Sequence, residues 1–199
     1  MKARPGRASS GARELPREVR IIGGQWKRTK LPVADRPGLR PTPDRVRETL
    51  FNWLGQTLDG WRCLDAFAGS GALGFEAASR GAAEVVLIER DPVLVASLAA
   101  TRQRLHAETV RVERADALQW MARAPAAAFD VVFLDPPFGD DPWQALFAAL
   151  DPLIGERSFI YAEASRRIAP PAALDVVRQA RAGGVHYHLL ARNAQAANR

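Results

Sequence analysis

The sequence has a single cysteine, Cys63, among 199 residues. One cysteine excludes an internal disulfide and a cysteine-cluster metal site. Cys63 lies in an apolar run and reads as a small buried hydrophobe, not a nucleophile. Long hydrophobic runs are also missing. The apolar stretches are short and broken by charge, so no membrane-spanning segment and no membrane partner is expected. The basic N-terminus has no apolar run behind it and is not read as a secretory signal. A reducing, cytoplasmic setting fits these features. Lysine is scarce: 25 of the 28 basic residues are arginine. Arginine forks pair phosphates bidentately, although genome composition produces the same bias. There are no internal repeats.

What is present suits one domain with a small extension. At 47% hydrophobic residues, the chain can bury a substantial core. Its net charge is +6, unevenly spread. Residues 1–62 carry 14 Lys/Arg against 6 Asp/Glu, and residues 63–199 carry 14 against 16. A localised basic region is the footprint of a polyanion partner, or a solvated tail.

The chain is organised around Cys63 to Gly74, Cys-Leu-Asp-Ala-Phe-Ala-Gly-Ser-Gly-Ala-Leu-Gly. An apolar run ends in Asp65, a Gly69-Ser70-Gly71 turn follows, and a helical pattern opens with Leu73, Phe75 and Ala77. Gly69, Gly71 and Gly74 fit the spacing of dinucleotide binders, whose diphosphate sits on a helix N-terminus. An acid before the glycines would repel a diphosphate but hold the ammonium group of S-adenosylmethionine. Asp65, expected to point into the crevice at the sheet's edge, therefore favours a methyl donor.

Residues 1–18 read as a disordered basic tail. Residues 19–60 read as an N-terminal extension: a strand at Val19–Ile22, a Gly23-Gly24 turn, a returning strand at Gln25–Leu31, and a helix with Thr42 as N-cap and Pro43 at its first position. Arg45, Arg47 and Glu48 are expected nearer solvent or the site entrance. Trp26 either stacks on a base or anchors the hairpin. Residues 61–190 alternate strand and helix. Strands are expected at Arg62–Ala66, Glu84–Glu89, Val110–Glu113, Phe129–Leu134 and Ser158–Ala162, and helices at Ala72–Arg80, Pro92–Leu105, Ala117–Arg123 and Pro142–Leu150. An antiparallel pair, Leu174–Arg181 and Val185–Leu190, closes the sheet, and residues 191–199 look frayed. This is an α/β fold with a doubly wound, mostly parallel sheet.

Glu89, at the tip of the second strand of this unit, can accept hydrogen bonds from ribose hydroxyls. Asp116 either contacts an adenine amine or caps the next helix, and the two roles can coexist. The discriminating stretch is Asp135-Pro136-Pro137-Phe138 after a buried strand. An exocyclic amine on a nucleobase is a poor nucleophile because its lone pair is delocalised into the ring. The Asp135 carboxylate can accept one N–H and the Pro136 carbonyl, stiffened by Pro137, the other. This aims the lone pair at a sulfonium methyl and disperses the developing charge. Phe138 can stack on an unpaired or flipped base. In-line positioning supplies most of the catalysis.

These segments resemble the bacterial 16S rRNA (guanine-N2)-methyltransferases of the RsmD family. The resemblance runs from Arg20 to Leu189 and is carried by Arg20–Trp26, Arg40-Pro41-Thr42, Arg45–Asn52, Leu64–Gly74, Ser79–Ala82 and Asp135–Phe138. It implies the methyltransferase (Rossmann-like) variant of the fold, S-adenosylmethionine as donor with S-adenosylhomocysteine as product, and no metal. The implied acceptor is a guanine of 16S rRNA in small-subunit particles, with ribosomal proteins near the substrate and a monomeric enzyme. Carried over by position, Asp65, Phe67, Gly69, Ser70 and Gly71 hold the methionine end, Glu89 the ribose and Asp116 the adenine side. Asp135, Pro136, Pro137 and Phe138 form the amine pocket. Arg20, Trp26, Lys27, Arg28, Lys30, Arg40, Thr42, Arg45 and Arg47 form the expected RNA-binding set, with Arg40 and Thr42 beside the site. Tyr161 and Glu163 match a family strand end without an assigned role. The same tetrapeptide permits methylation of adenine N6 or a protein glutamine. From other classes, a nicotinamide-dependent oxidoreductase and a non-catalytic RNA-binding assembly factor stand as alternatives.

Overall fold

The computed structural model describes residues 18–36, 41–126, 129–137 and 141–193. A two-stranded antiparallel ribbon, β1 (Glu18–Arg20) and β2 (Lys30–Pro32), precedes helix α1 (Asp44–Leu54). Then come β3 (Arg62–Asp65), α2 (Ala72–Ser79), β4 (Glu84–Glu89), α3 (Pro92–Arg104), β5 (Val110–Arg114), α4 (Ala117–Met121), β6 (Phe129–Leu134) and α5 (Trp143–Leu150). A short 3-10 turn leads into β7 (Ile154–Ala164), β8 (Leu174–Ala182) and β9 (Val185–Arg192). The seven strands of the main sheet run in the order β5-β4-β3-β6-β7-β9-β8. The first five are parallel, and β9 lies antiparallel between β7 and β8. This is the doubly wound, mostly parallel sheet expected from the sequence. Among the described residues, no helix is long and apolar enough to cross a membrane.

Side chains alternate across the sheet because successive residues of a strand face opposite ways. Cys63, Val85, Leu87, Val131, Phe133 and Tyr161 pack on one face with α1, α2 and the β1–β2 ribbon. Leu64, Val86, Ile88, Val132, Leu134 and Ile160 pack on the other with α4 and α5. Val46, Leu50 and Phe51 of α1 are fully buried, each contributing about 1.5–3 kcal/mol.

The N-terminal ribbon shares the first core through Val19, Ile21 and Leu31. It is also tied to α2 by polar bonds. The carboxylate of Glu76, 0% exposed, accepts from the backbone N–H of Ile22 at 2.7 Å and of Gly23 at 2.8 Å. It pairs with Arg80 at 2.8 Å and Arg47 at 3.4 Å. Ser79 donates to the Gly23 carbonyl and accepts from the Trp26 N–H.

Several local expectations change. Gln25–Leu31 was expected to return as a strand, but residues 25–28 form turns and only Lys30–Pro32 pairs. Trp26 packs on the core, in keeping with the anchoring reading. Thr42 does not cap α1: no side chain does so, and the Pro43 carbonyl accepts from Val46 and Arg47. Arg47 is not near solvent but fully buried. Strand β7 is longer than Ser158–Ala162, and β9 continues through Arg192, so positions 191 and 192 are paired strand, not a frayed end. Most of the expected tail, residues 1–17, and residues 194–199 lie outside the described residues.

Candidate active site

From β3 the chain winds outward through β4 and β5, then returns to β6 on the other flank of β3. Such a reversal opens a crevice at the carboxyl ends of the strands. Asp65 ends β3, and Asp135 follows the last residue of β6. The two strands are paired, with Asp65 opposite Phe133.

After Asp65 the backbone turns through left-handed conformations at Gly69 (φ 53°) and Gly71 (φ 76°). A Cβ on Gly71 would lie 2.6 Å from the Phe75 ring, so both backbone and packing call for glycine. A Cβ on Gly74 would lie 2.1 Å from Leu87, which is why α2 can rest so close on β4. Asp65 does not project freely into the crevice as expected. It is 2% exposed and lies beneath the turn, where its Oδ2 accepts from the Gly74 N–H at 3.1 Å. The Phe67 N–H donates to it as well. Burial, with a smaller push from Glu89, raises its pKa to about 7 against those two bonds. Glu89 is half-buried at the end of β4. Its Oε2 accepts from Gly69 N–H at 3.0 Å, and its Oε1 from Arg90 and Asp91 N–H. Phe67 and Ser70 are half-buried on the same turn. Asp116, exposed, caps α4 through the Gln119 N–H at 3.1 Å.

Beyond β6, Asp135 is half-buried, Pro136 buried and Pro137 exposed. Phe138 lies outside the described residues. The Asp135 carboxyl is pushed well above the usual carboxylate range by burial, then by the charges of Glu163 and Asp65. Glu163, near the end of β7, is 4% exposed. It accepts from the Tyr161 hydroxyl at 2.7 Å and also bonds the Thr42 side chain. Thr42 thus lies buried beside the strand tips, held by this carboxylate.

The basic set divides. Lys27, Arg28 and Arg45 are exposed and have no ion pair among the described residues. Arg20 pairs loosely with Asp44 at 3.7 Å and Lys30 with Glu18 at 2.6 Å, both at the surface. Arg40 lies outside the described residues. Arg47 cannot meet a phosphate. Its guanidinium is 0% exposed and bonds Glu76, Asp44 and the carbonyls of Thr42 and Arg20. An open cleft of about 420 Å³ runs along β5 and α4, lined by Arg111, Arg114, Asp116, Trp120 and Arg123 among others. It shares only Asp116 with the candidate site; the strand-tip crevice itself holds the convergent acids.

Sequence reasoning gave Glu163 no role. The alternation Tyr161-x-Glu163 already places both side chains on one face of a strand, but only the fold sets that face against Asp135. Glu76 was missed too, being hidden inside an apolar helix pattern.

A family model described as "Conserved hypothetical protein 95" matches residues 19–191. Ribosomal RNA small subunit methyltransferase D of Escherichia coli strain K12 is 43% identical over 183 residues, covering 89% of this chain and 92% of the relative. The protein of that name from Haemophilus influenzae is 50% identical over 126 residues, covering 61% of this chain and 64% of the relative. A solved Escherichia coli structure provisionally designated a methyltransferase, yhhF, superposes with a TM-score of 0.81 at 40% identity, covering 89% of this chain and 99% of the other. The fold is that of the Rossmann-like methyltransferases, and the crevice between β3 and β6 sits where such a sheet places its ligand. This chain is a methyltransferase and belongs to the ribosomal RNA small subunit methyltransferase D family.

Proposed function

We propose that this protein transfers a methyl group from S-adenosylmethionine to the N2 amine of a guanine in 16S rRNA within small-subunit particles. The observation that carries the reading is the pairing of β3 and β6, which sets the glycine turn after Asp65 next to Asp135-Pro136-Pro137. The names of the relatives point to small-subunit rRNA.

The residues fit the donor. The glycine turn leaves no side chain at Gly71, where a Cβ would strike Phe75 and Leu98. The acids around it, Asp65, Glu89 and Asp135, have no ion pair among the described residues, which suits a ligand carrying positive charge. When bound, that ligand supplies an electrophilic methyl and a neutral thioether leaving group. Asp65 and Glu89 brace the turn, and Glu89 retains acceptor capacity toward ribose hydroxyls. Asp116 stands at the α4 N-terminus for the adenine side. Asp135 and the Pro136 carbonyl accept the two amine hydrogens and hold the nitrogen in line. Phe138 follows as a stacking platform. Lys27, Arg28 and Arg45, with Arg20 and Lys30, contact rRNA phosphates, and the enzyme works as a cytoplasmic monomer. Membership of a methyltransferase family sets the nicotinamide reading aside.

The test is single-turnover transfer of labelled methyl to undermethylated small subunits, followed by nucleoside mass spectrometry. Asp135→Ala should retain donor binding and lose transfer by about 10²–10³-fold. Near-normal turnover in that variant refutes the amine pocket. A label recovered on adenine or protein refutes the acceptor.

A further inference from the structure

Three acids converge at the tips of three neighbouring strands on one face of the sheet. Phe133 lies opposite both Asp65 on β3 and Tyr161 on β7. Asp135 is two residues beyond Phe133, and Glu163 two beyond Tyr161. With a period of two, both return to the face of Asp65, roughly one strand spacing apart, about 4.8 Å. The charge of Glu163, ahead of that of Asp65, opposes ionisation of Asp135. Glu163 is 4% exposed and Asp65 2%. Among the described residues, no cation pairs with Asp65, Asp135 or Glu163. The other polar groups facing the pair are the Tyr161 hydroxyl, beside Tyr187 of β9, and the Thr42 side chain. His188 is on the opposite face, bonded to the Ala162 carbonyl.

Two adjacent carboxylates, one buried and one half-buried, with no cation among the described residues do not both ionise readily. The donors here are unequal. The Tyr161 hydroxyl and Thr42 bond Glu163 and favour its anion, whereas among the described residues no hydrogen-bond donor lowers Asp135. Burial raises both groups.

Building on the function proposed above, we propose that Asp135 and Glu163 act as a carboxylate pair that holds one proton at neutral pH and releases it when a sulfonium donor is bound. Glu163 is a positioning residue: it does not touch the amine but sets the charge state of Asp135. Occupied by a sulfonium, the site has Asp135 ionised and able to accept the amine N–H. During transfer the N2–methyl carbon bond forms, and the carbon–sulfur bond breaks with its electron pair going to sulfur. The methylated nitrogen then gives a proton to Asp135, so the pair recovers what it lost. The thioether product is neutral and no longer opposes that proton.

The test is isothermal calorimetry near pH 7 in buffers of differing ionisation enthalpy, with S-adenosylmethionine and with S-adenosylhomocysteine. Both carry the same amino acid and nucleoside, so Asp65 and Glu89 respond alike to each, and only the sulfonium distinguishes them. Wild type should release more protons with S-adenosylmethionine. Its Kd should rise toward tenfold per pH unit on acidification below the pair's apparent pKa, more steeply than for S-adenosylhomocysteine. In Glu163→Gln the strongest like charge is gone, so Asp135 should ionise more readily and the difference between the ligands should shrink. Equal release by wild type with both ligands, or an undiminished difference in Glu163→Gln, overturns the inference. If Glu163→Gln does not fold, Tyr161→Phe decides: losing a donor to the anion should move the S-adenosylmethionine Kd curve to higher pH, and an unmoved curve overturns the pair. Failure of wild type to bind either ligand would instead overturn the proposed function itself.

Discussion

Glu76 and Glu163 are both buried acids on the same face of one sheet, yet their surroundings differ in kind. Glu76 lies between two guanidinium groups and two backbone N–H groups. Glu163 has a phenol and a threonine for company, and its charge and that of Asp135 oppose each other. The first arrangement neutralises its charge internally and fixes the ribbon on the domain. The second leaves negative charge to be answered from outside. A buried charge that is already compensated holds a scaffold together, whereas one left uncompensated is suited to a ligand.

The largest effect should come from unbalancing the compensated acid. Glu76→Ala strands Arg47 and Arg80 without their partner and should cost about 3–5 kcal/mol, measured by urea unfolding. A loss under 1 kcal/mol would erase the contrast between the two regions.

The strand-tip acids should behave in the opposite sense. The Asp65 pKa is raised when folded, so the folded state holds that proton more tightly than the unfolded one. Its contribution to stability is therefore greatest below about pH 4 and is lost as pH rises through about 7. Asp65→Asn should flatten the fall of the urea midpoint across this window. Parallel curves for wild type and variant would show that the acid is not held against its own charge.

Smaller effects follow at the rim. Asp116→Ala should cost about 1 kcal/mol as a lost helix cap, read by thermal unfolding. Any further drop in donor affinity measures its adenine role. Lys27→Ala with Arg28→Ala should leave stability nearly untouched. It should reduce the slope of log K for RNA against log salt by about 0.7–0.9 per charge removed, and an unchanged slope would take the ribbon out of the phosphate contacts.

The strand-and-helix order was legible because apolar runs and glycine turns are local signals. Asp135-Pro136-Pro137 announced itself, since two prolines after a buried strand leave few readings. Arg47 was misread because its neighbours in sequence, Arg45 and Glu48, are exposed; its partner Glu76 is 29 residues away. Thr42 carries every local mark of an N-cap, yet its side chain is taken by Glu163 of β7. Trp26 was undecidable until the Ser79 bonds fixed the ribbon against α2.

Periodicity and turn chemistry are written along the chain, so the sequence alone determined the alternating sheet, the left-handed glycine turn and the acid-proline-proline stretch that follows β6. Which charges meet is not written there. Partnership between distant groups depends on strand order and register, and on how much water remains at each site. Only the assembled sheet could give Glu76 two arginines and leave Asp135 beside Glu163 with none among the described residues.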